Sequence, residues 1–273
     1  MPTSYRLLEQ VVQAIEDGGL KIVNLSQAPR QYSRTHLIPQ LVESEVLAYQ
    51  GAMPATEAAV PPWYFRSHPI KDKLDGTNLE VPPIWESGIS RHSDKFRAIS
   101  LRRLVGQVCV IDISKIAAED SDYLLTRRTV LAWEEQHGMI PSNSWVLLRT
   151  DWSRRSDIEM FLNIKSDGPH WPGFSKGCSQ FLALERDVLG AGVETADIDA
   201  GQAGKFNPPF WTRQILHDRG KCSLFNLCNL DQLPPTGAVI VAAPLKIENG
   251  SGSPLRVLAL VNDDAEDDDG DDD

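Results

Sequence analysis

Long apolar runs and a secretory start are both missing from this sequence, and their absence narrows the kinds of protein it encodes. No stretch approaches the roughly 18 consecutive apolar residues that mark a membrane-spanning helix, so we expect no membrane contact. The start, Met-Pro-Thr-Ser-Tyr-Arg, has no basic segment followed by an apolar one. The four cysteines match no zinc-binding spacing, which favours free thiols in a reducing compartment. We therefore expect a soluble cytoplasmic protein.

The sequence also lacks an excess of basic residues. Its net charge is −11, but the segment Asp263–Asp273 holds nine of the 38 acidic residues and no base. The rest has 29 acids against 27 bases, a net of −2, so no nucleic-acid surface is expected. Such an acidic run cannot bury apolar area. We therefore predict one domain over residues 1–262 and a disordered acidic tail over 263–273.

Apolar periodicity predicts strands that alternate with helices, which is typical of an α/β domain. Helices are predicted at Tyr5–Asp17, Thr126–His137, Cys178–Leu189 and Thr212–Arg219. Strands are predicted at Leu20–Leu25, Val108–Ile113, Trp145–Thr150, Val193–Ile198, Leu224–Leu227, Ala238–Ala243 and Leu255–Val261. The proline-rich residues 26–86 are predicted to be irregular, and a loop of that length inside a domain is usually functional or disordered.

Residues 74–84 resemble a metal-binding motif that has lost most of its ligands. The motif is H-x-G-T-H-x-D-x-P-x-H, the signature of the cyclase family, which includes kynurenine formamidases and isatin hydrolases. Three positions keep the family residue: Gly76, Thr77 and Pro82. The histidine positions hold Leu74, Asn78 and Ile84, and the aspartate position holds Glu80.

Further segments resemble the same family and follow in its order. They are Ile99–Gly106, Pro172–Ser175, Gly192–Thr195, Asn229–Pro234 and Pro244–Arg256. Together the segments cover roughly residues 19–261. The resemblance implies the swivelling β/β/α cyclase-family fold in a single domain, and it implies a homo-oligomer.

The resemblance further implies a histidine and a glutamate of the metal site late in the chain, and these positions fall on Arg213 and Phe225. A catalytic zinc needs about three nitrogen, sulfur or oxygen donors, and one carboxylate at Glu80 does not hold a transition metal. Arg213 would place a positive charge against any cation. We therefore expect no metal and no other cofactor, and no metal-activated water.

The substitutions predict a largely apolar cavity in place of the metal site. Its apolar wall is predicted at Leu74, Ile84 and Phe225, and its polar groups are Asn78, Glu80 and Arg213. Two interpretations of Glu80 remain open. Burial among apolar groups would make it a general acid or base with a raised pKa, whereas a partner at Arg213 would make the two a structural ion pair.

Aromatic residues and a histidine supply further candidates for substrate binding. His170 and Trp171 precede a Pro-Gly turn and could face the cavity, and Trp85 could cover it. The alternatives are that His170 is exposed, as is usual beside such a turn, and that the tryptophans pack in the core or between subunits.

Three functions are compatible with these residues. The one we favour is a metal-independent enzyme that cyclises, isomerises or eliminates from a largely apolar small molecule in specialised metabolism, with Glu80, Arg213 and Asn78 as catalytic groups. The second is a hydrolase of an ester, lactone or amide that activates water by another route. The third is a binding protein without catalytic activity. Fold alone does not decide among them.

Overall fold

The computed structural model describes residues 3–28, 76–82, 99–155, 157–246 and 252–263. Leu74, Ile84, Trp85 and the residues after Asp263 lie outside the described residues, so the structure does not test the predictions made for them. The described helices are α1 (Thr3–Glu16), α2 (Ser114–Glu119), α3 (Arg127–His137), α4 (Ile158–Leu162), α5 (Lys176–Gln180) and α6 (Trp211–Asp218). None of the helices in these ranges is long and apolar enough to cross a bilayer.

In the described residues, eight strands form one sheet, and all of them except the first close into a ring. The described strands are β1 (Leu20–Asn24), β2 (Asn78–Glu80), β3 (Val105–Asp112), β4 (Leu124–Leu125), β5 (Trp145–Arg149), β6 (Ile164–Lys165), β7 (Gly168–Pro169), β8 (Gly173–Phe174), β9 (Gly190–Val193), β10 (Cys222–Phe225), β11 (Ala238–Pro244) and β12 (Gly252–Asn262). The sheet order is β1-β12-β11-β3-β5-β9-β10-β2, and β2 pairs a second time with β12. Strands β3, β5, β9 and β10 are parallel, and the other pairings in the sheet are antiparallel.

The alternation of side chains along β3 explains the two main layers of the core. Val108 and Val110 lie in the cluster enclosed by the closed sheet, whereas Cys109 and Ile111 lie in the cluster under the helices. Successive residues of a strand point to opposite faces, so a continuous apolar run is buried on both sides. Trp133 of α3 and Leu216 of α6 belong to the helix-side cluster. The predicted α/β class is therefore confirmed.

Most predicted elements are present within one to three residues of their expected ends. Helix α3 begins where expected because the Thr126 hydroxyl accepts a hydrogen bond from the amide of Thr129 at 3.1 Å. It ends at Gly138, whose φ of 87° is accessible to glycine and costly for other residues. The predicted helix Cys178–Leu189 is wrong in extent, because α5 passes at Phe181 into a single π-helical turn that ends at Glu185.

The predicted strand Val193–Ile198 is wrong, because the strand β9 precedes it at Gly190–Val193. Its two glycines allow close packing between the neighbouring strands. A Cβ on Gly190 would lie 2.4 Å from the Cys222 carbonyl oxygen and 2.6 Å from the Trp145 ring. Residues 194–199 form turns and bends instead, and this change of direction carries two aspartates toward the site described below.

Candidate functional site

Strand β2 places two residues of the motif-like segment 74–84 on one face of the sheet. In its antiparallel pairing with β10, Asn78 lies opposite Phe225 and Glu80 lies opposite Ser223. Residues directly opposite each other in such a pair point to the same side of the sheet. The structure therefore brings Asn78, Glu80 and Phe225 together, although they are far apart in sequence.

Arg213, in the first turn of α6, joins this face through an ion pair. Its Nε donates to Glu80 Oε2 at 2.8 Å, and its Nη2 donates to Asp197 Oδ2 at 2.6 Å. Its Nη1 lies 3.7 Å from Asp199 Oδ2. The carboxylates of Glu80, Asp197 and Asp199 thus surround one guanidinium, and we call these three acids the acidic ring. The side chains of the ring are 2–12 % exposed and that of Arg213 is 27 % exposed.

The two aspartates of the acidic ring are positioned by the end of β9 and the start of α6. Asp197 Oδ1 accepts a hydrogen bond from the Asp199 amide at 2.9 Å, which fixes the turn after β9. Asp199 Oδ1 accepts from the Thr212 amide at 2.8 Å, at the N-terminus of α6. Carboxylates at a helix N-terminus are stabilised by free amide groups and by the helix dipole.

The ring perturbs the ionisation of its members. Burial, followed by the charge of Asp197, raises the pKa of Asp199 to about 7, against the opposing effects of Arg213 and the Thr212 amide. For Arg213, burial lowers the pKa, but Asp197, Glu80 and Asp199 outweigh burial and raise it. Arg213 is therefore permanently charged, whereas Asp199 exchanges a proton near neutral pH.

A cavity of about 500 Å³ lies beside the acidic ring. Asp197 and Asp199 contribute to its wall, together with the aromatic side chains of Trp171 and Phe210. Trp171 is held in place by a hydrogen bond from its Nε1 to the Asp199 carbonyl oxygen at 2.9 Å. A cavity of this size with aromatic walls and a few polar groups suits a small organic ligand.

His170 lies next to this cavity and bridges two carboxylates. Its Nδ1 is 2.7 Å from Asp122 Oδ2 and its Nε2 is 2.9 Å from Asp167 Oδ1. We call these three residues the histidine clamp. Burial lowers the pKa of His170, but the hydrogen bonds to Asp167 and Asp122 outweigh it and raise the pKa above 6.5. The expectation of an exposed histidine is wrong, since His170 is 7 % exposed.

The structure brings together only part of the site predicted from the sequence. Trp171 lines the cavity and the Glu80–Arg213 pair is formed. Phe225 packs in the helix-side core with Leu216, and the Asn78 amide donates to the Gly76 carbonyl oxygen at 2.9 Å. Neither residue is among the described residues that line the cavity, and Glu80, Arg213 and His170 are not among them either.

Sequence reasoning did not assign Asp197 and Asp199 to the site. A signal was available, because polar residues that follow a buried parallel strand lie at the sheet edge where ligands bind in α/β proteins. The misplaced strand Val193–Ile198 concealed this signal, because it included Asp197 and ended directly before Asp199.

The described residues do not fit the metal site that the motif would imply. Phe225 has no donor atom, and the Asn78 amide already bonds to a backbone carbonyl. Glu80 contacts a guanidinium whose positive charge opposes any metal cation. Among the described residues, no three histidine, cysteine, aspartate or glutamate side chains form a group suited to a metal ion.

Comparisons of sequence and of structure with known proteins give results that agree with one another. Residues 50–200 match a family model described as "Putative cyclase". The isatin hydrolase of Roseibium aggregatum is 42 % identical over 202 residues, which cover 73 % of this chain and 76 % of that protein. The solved isatin hydrolase A of Ralstonia solanacearum is 38 % identical, with a TM-score of 0.80 over 96 % of this chain and 98 % of that one. Isatin hydrolase A of Labrenzia aggregata, solved with benzyl benzoate, is 41 % identical, with a TM-score of 0.77 over 94 % and 99 %.

Proposed function

The chain belongs to the cyclase family, and on that premise we propose that it hydrolyses the ring amide or ester of a compact cyclic compound. The similar proteins are hydrolases, and they support the hydrolase alternative better than the cyclisation in specialised metabolism that the sequence favoured. Isatin, named in these relatives, is a bicyclic lactam. A lactam or lactone of similar size is the substrate class proposed here.

The observation that carries this proposal is the position of Asp197 and Asp199 on the wall of a cavity of about 500 Å³. A bicyclic ring fits such a volume, and Trp171 and Phe210 offer it aromatic contacts. A relative has been solved with benzyl benzoate, an aromatic ester. Since Asp199 exchanges a proton near pH 7, it supplies the acid–base group that hydrolysis needs.

In the proposed reaction, the Asp199 carboxylate takes a proton from water as the water oxygen adds to the ring carbonyl carbon. The resulting carboxyl then gives this proton to the ring nitrogen or oxygen as the bond from that atom to the carbonyl carbon breaks. One water is added in total, and the new carboxyl group becomes a carboxylate by releasing its proton to solvent.

A second candidate is the isomerisation or elimination expected from the sequence. The same proton exchange at Asp199 serves it, and the poor fit of the described residues to a metal favours a step without metal-activated water. A small-molecule substrate and a homo-oligomeric state remain predictions under either candidate.

The two candidates differ in the mass of the product. Purified protein is incubated with small lactams and lactones, isatin among them, in water labelled with ¹⁸O, and the products are analysed by mass spectrometry. Hydrolysis gives a product heavier by one water, with the label in its carboxylate. A product of unchanged or lower mass would instead establish isomerisation or elimination and overturn the hydrolase.

The acid–base assignment has its own test. Loss of a general acid–base group costs about 10²–10⁴-fold in rate, so we expect a loss of this size in kcat for Asp199→Asn. Asp231→Asn is the matched control, because Asp231 pairs with Arg154 and is not among the described residues that line the cavity. Unchanged kcat in Asp199→Asn would remove Asp199 from the reaction.

A further inference from the structure

We propose that the Arg213 guanidinium is a built-in cation that takes over the charge-neutralising role of the metal ion expected in this family. The residues do not fit a metal, yet the carboxylates that face the former site are held together around a positive charge. This inference concerns the charge of the site and holds whichever reaction the cavity carries.

The first support is position. Glu80 occupies the carboxylate position of the degraded motif, and Arg213 occupies the position assigned to a late histidine ligand. These two positions are 133 residues apart in sequence, and each was assigned from a different segment. In the structure, Arg213 Nε lies 2.8 Å from Glu80 Oε2. Phe225, at the late glutamate position, lies opposite Asn78 in the neighbouring strand pair. Among the described residues, the motif-like positions Asn78, Glu80, Arg213 and Phe225 therefore lie together, and the one that bears a positive charge contacts the one that bears a negative charge.

The second support is the distribution of the guanidinium contacts over the acidic ring. Nε faces Glu80, Nη2 faces Asp197 and Nη1 faces Asp199, so each nitrogen of the planar group has its own carboxylate. Arginine suits this task because its charge is permanent and its donors have a fixed fork geometry. A lysine ammonium is a point charge on a flexible stem, and its single nitrogen cannot contact three separate carboxylates as the three guanidinium nitrogens do.

The third support is the charge balance. Three carboxylates against one guanidinium leave two negative charges. A divalent metal ion would supply one positive charge more than arginine does. Burial and the Asp197 charge raise the pKa of Asp199 to about 7, so a proton on Asp199 supplies that second positive charge at or below neutral pH. Arg213 together with this proton thus matches the charge of a divalent ion.

Three proteins test the proposal: wild type, Arg213→Gln, which removes the charge, and Arg213→Lys, which keeps it. Arg127→Gln is the control, since Arg127 forms an exposed pair with Glu185. Metal content is measured after dialysis against a chelator, and Tm is measured with and without millimolar Mn²⁺ at pH 5 and pH 8. None of these measurements depends on turnover, so failure here is distinguishable from failure of the proposed hydrolysis.

We expect wild type to retain far less than one equivalent of metal and its Tm to be insensitive to Mn²⁺. Arg213→Gln should have a lower Tm than Arg127→Gln, more so at pH 8 than at pH 5, and Mn²⁺ should recover part of the loss because it replaces the missing charge. Arg213→Lys should lose less and gain little from Mn²⁺. If Arg213→Gln does not fold, the paired variant Glu80→Gln/Arg213→Gln, which removes one charge of each sign, takes its place with the same expected response to Mn²⁺.

Two results would overturn the proposal. One is a stoichiometric metal ion in wild type that survives the chelator and is lost in Glu80→Gln. The other is a Tm loss in Arg213→Gln, or in the paired variant, that Mn²⁺ does not change at either pH, which would leave Arg213 as a structural residue only.

Discussion

The acidic ring and the histidine clamp lie beside the same cavity, and they neutralise their carboxylates with different cationic side chains. Each places one cationic side chain among carboxylates: Arg213 among the three acids of the ring, and His170 between Asp122 and Asp167. The acids of the ring are at most 12 % exposed, whereas Asp122 and Asp167 are 43 % and 54 % exposed. The ring is a buried network and the clamp is a network open to solvent on its acidic side.

The difference shows that the burial of the carboxylates determines which kind of cationic side chain can pair with them. A buried carboxylate without a partner is strongly unfavourable, so the ring needs a cation that never loses its charge. At the clamp the acids keep much of their hydration, so the cation there can titrate at modest cost. Asp197 and Asp199 of the ring line the cavity, and so does Asp167 of the clamp, which also pairs with Lys205. We infer that the clamp holds the segment around Pro169 and Trp171 in place.

Removal of the arginine charge is expected to have the largest effect on stability. Breaking a buried ion pair from one side costs about 3–5 kcal/mol, so Arg213→Gln should lose about that much free energy of unfolding at pH 8. Chemical denaturation measures it, with Arg127→Gln as the control. Equal losses of unfolding free energy in the two variants would mean that Arg213 stabilises the protein no more than an arginine in an exposed ion pair does.

Asp197 should tune the proton exchange of Asp199. The Asp197 charge is one cause of the raised Asp199 pKa, so Asp197→Asn should lower that pKa below its value of about 7. If the ionised form of Asp199 is the base, kcat/KM of wild type rises with pH through about 7, and the rise moves to lower pH in the variant. If the rise in kcat/KM occurs at the same pH in Asp197→Asn and wild type, the group that controls the pH dependence is not Asp199.

The histidine should have a smaller effect that depends on pH. The pKa of folded His170 is raised above 6.5, so its contribution to stability is fully present below about pH 6.5 and is lost as pH rises through the folded value. A charged hydrogen bond is worth about 1.5–3 kcal/mol, and the exposure of its partners reduces this to about 1 kcal/mol. His170→Gln should therefore cost about that much at pH 5.5 and less at pH 9, measured by urea denaturation. A larger cost at pH 9 would contradict the assignment.

The smallest effect is expected at the acidic partners of the clamp. An exposed ion pair is worth about 0–1 kcal/mol, so Asp122→Asn should hardly change the free energy of unfolding. Since Trp171 follows His170 directly and lines the cavity, KM should rise modestly while kcat stays the same. A fall in kcat comparable to that of Asp199→Asn would show that the clamp takes part in the chemistry.

The sequence predicted the parts of the fold that carry strong local signals. Val108–Ile113 is a strand because its apolar residues are continuous, and α3 is bounded by a threonine cap and a glycine. Strand β9 was misplaced because its glycines give no apolar signal. Their role depends on the approach of Cys222 and Trp145, which only the assembled sheet reveals.

The site was predictable to the extent that it resembles a known motif. The family resemblance implied that Glu80 and Arg213 belong to one site, and their ion pair is formed. Asp197 and Asp199 were missed because their role arises where a turn after β9 meets the first turn of α6. The burial of His170 was missed for a similar reason, since Asp122 lies 48 residues away in sequence.

Strand β2 is only three residues long, yet both of its edges are hydrogen-bonded, one to β10 and the other to β12. A strand that is paired on both edges cannot shift its register without breaking both sets of hydrogen bonds. Deletion of Thr77 or Asn78 would exchange the two faces of the strand and turn Leu79 and Val81 to the face that now carries Asn78 and Glu80. Point substitutions at Asn78 and Glu80 can therefore change the chemistry of this face, whereas changes in length here would dismantle it.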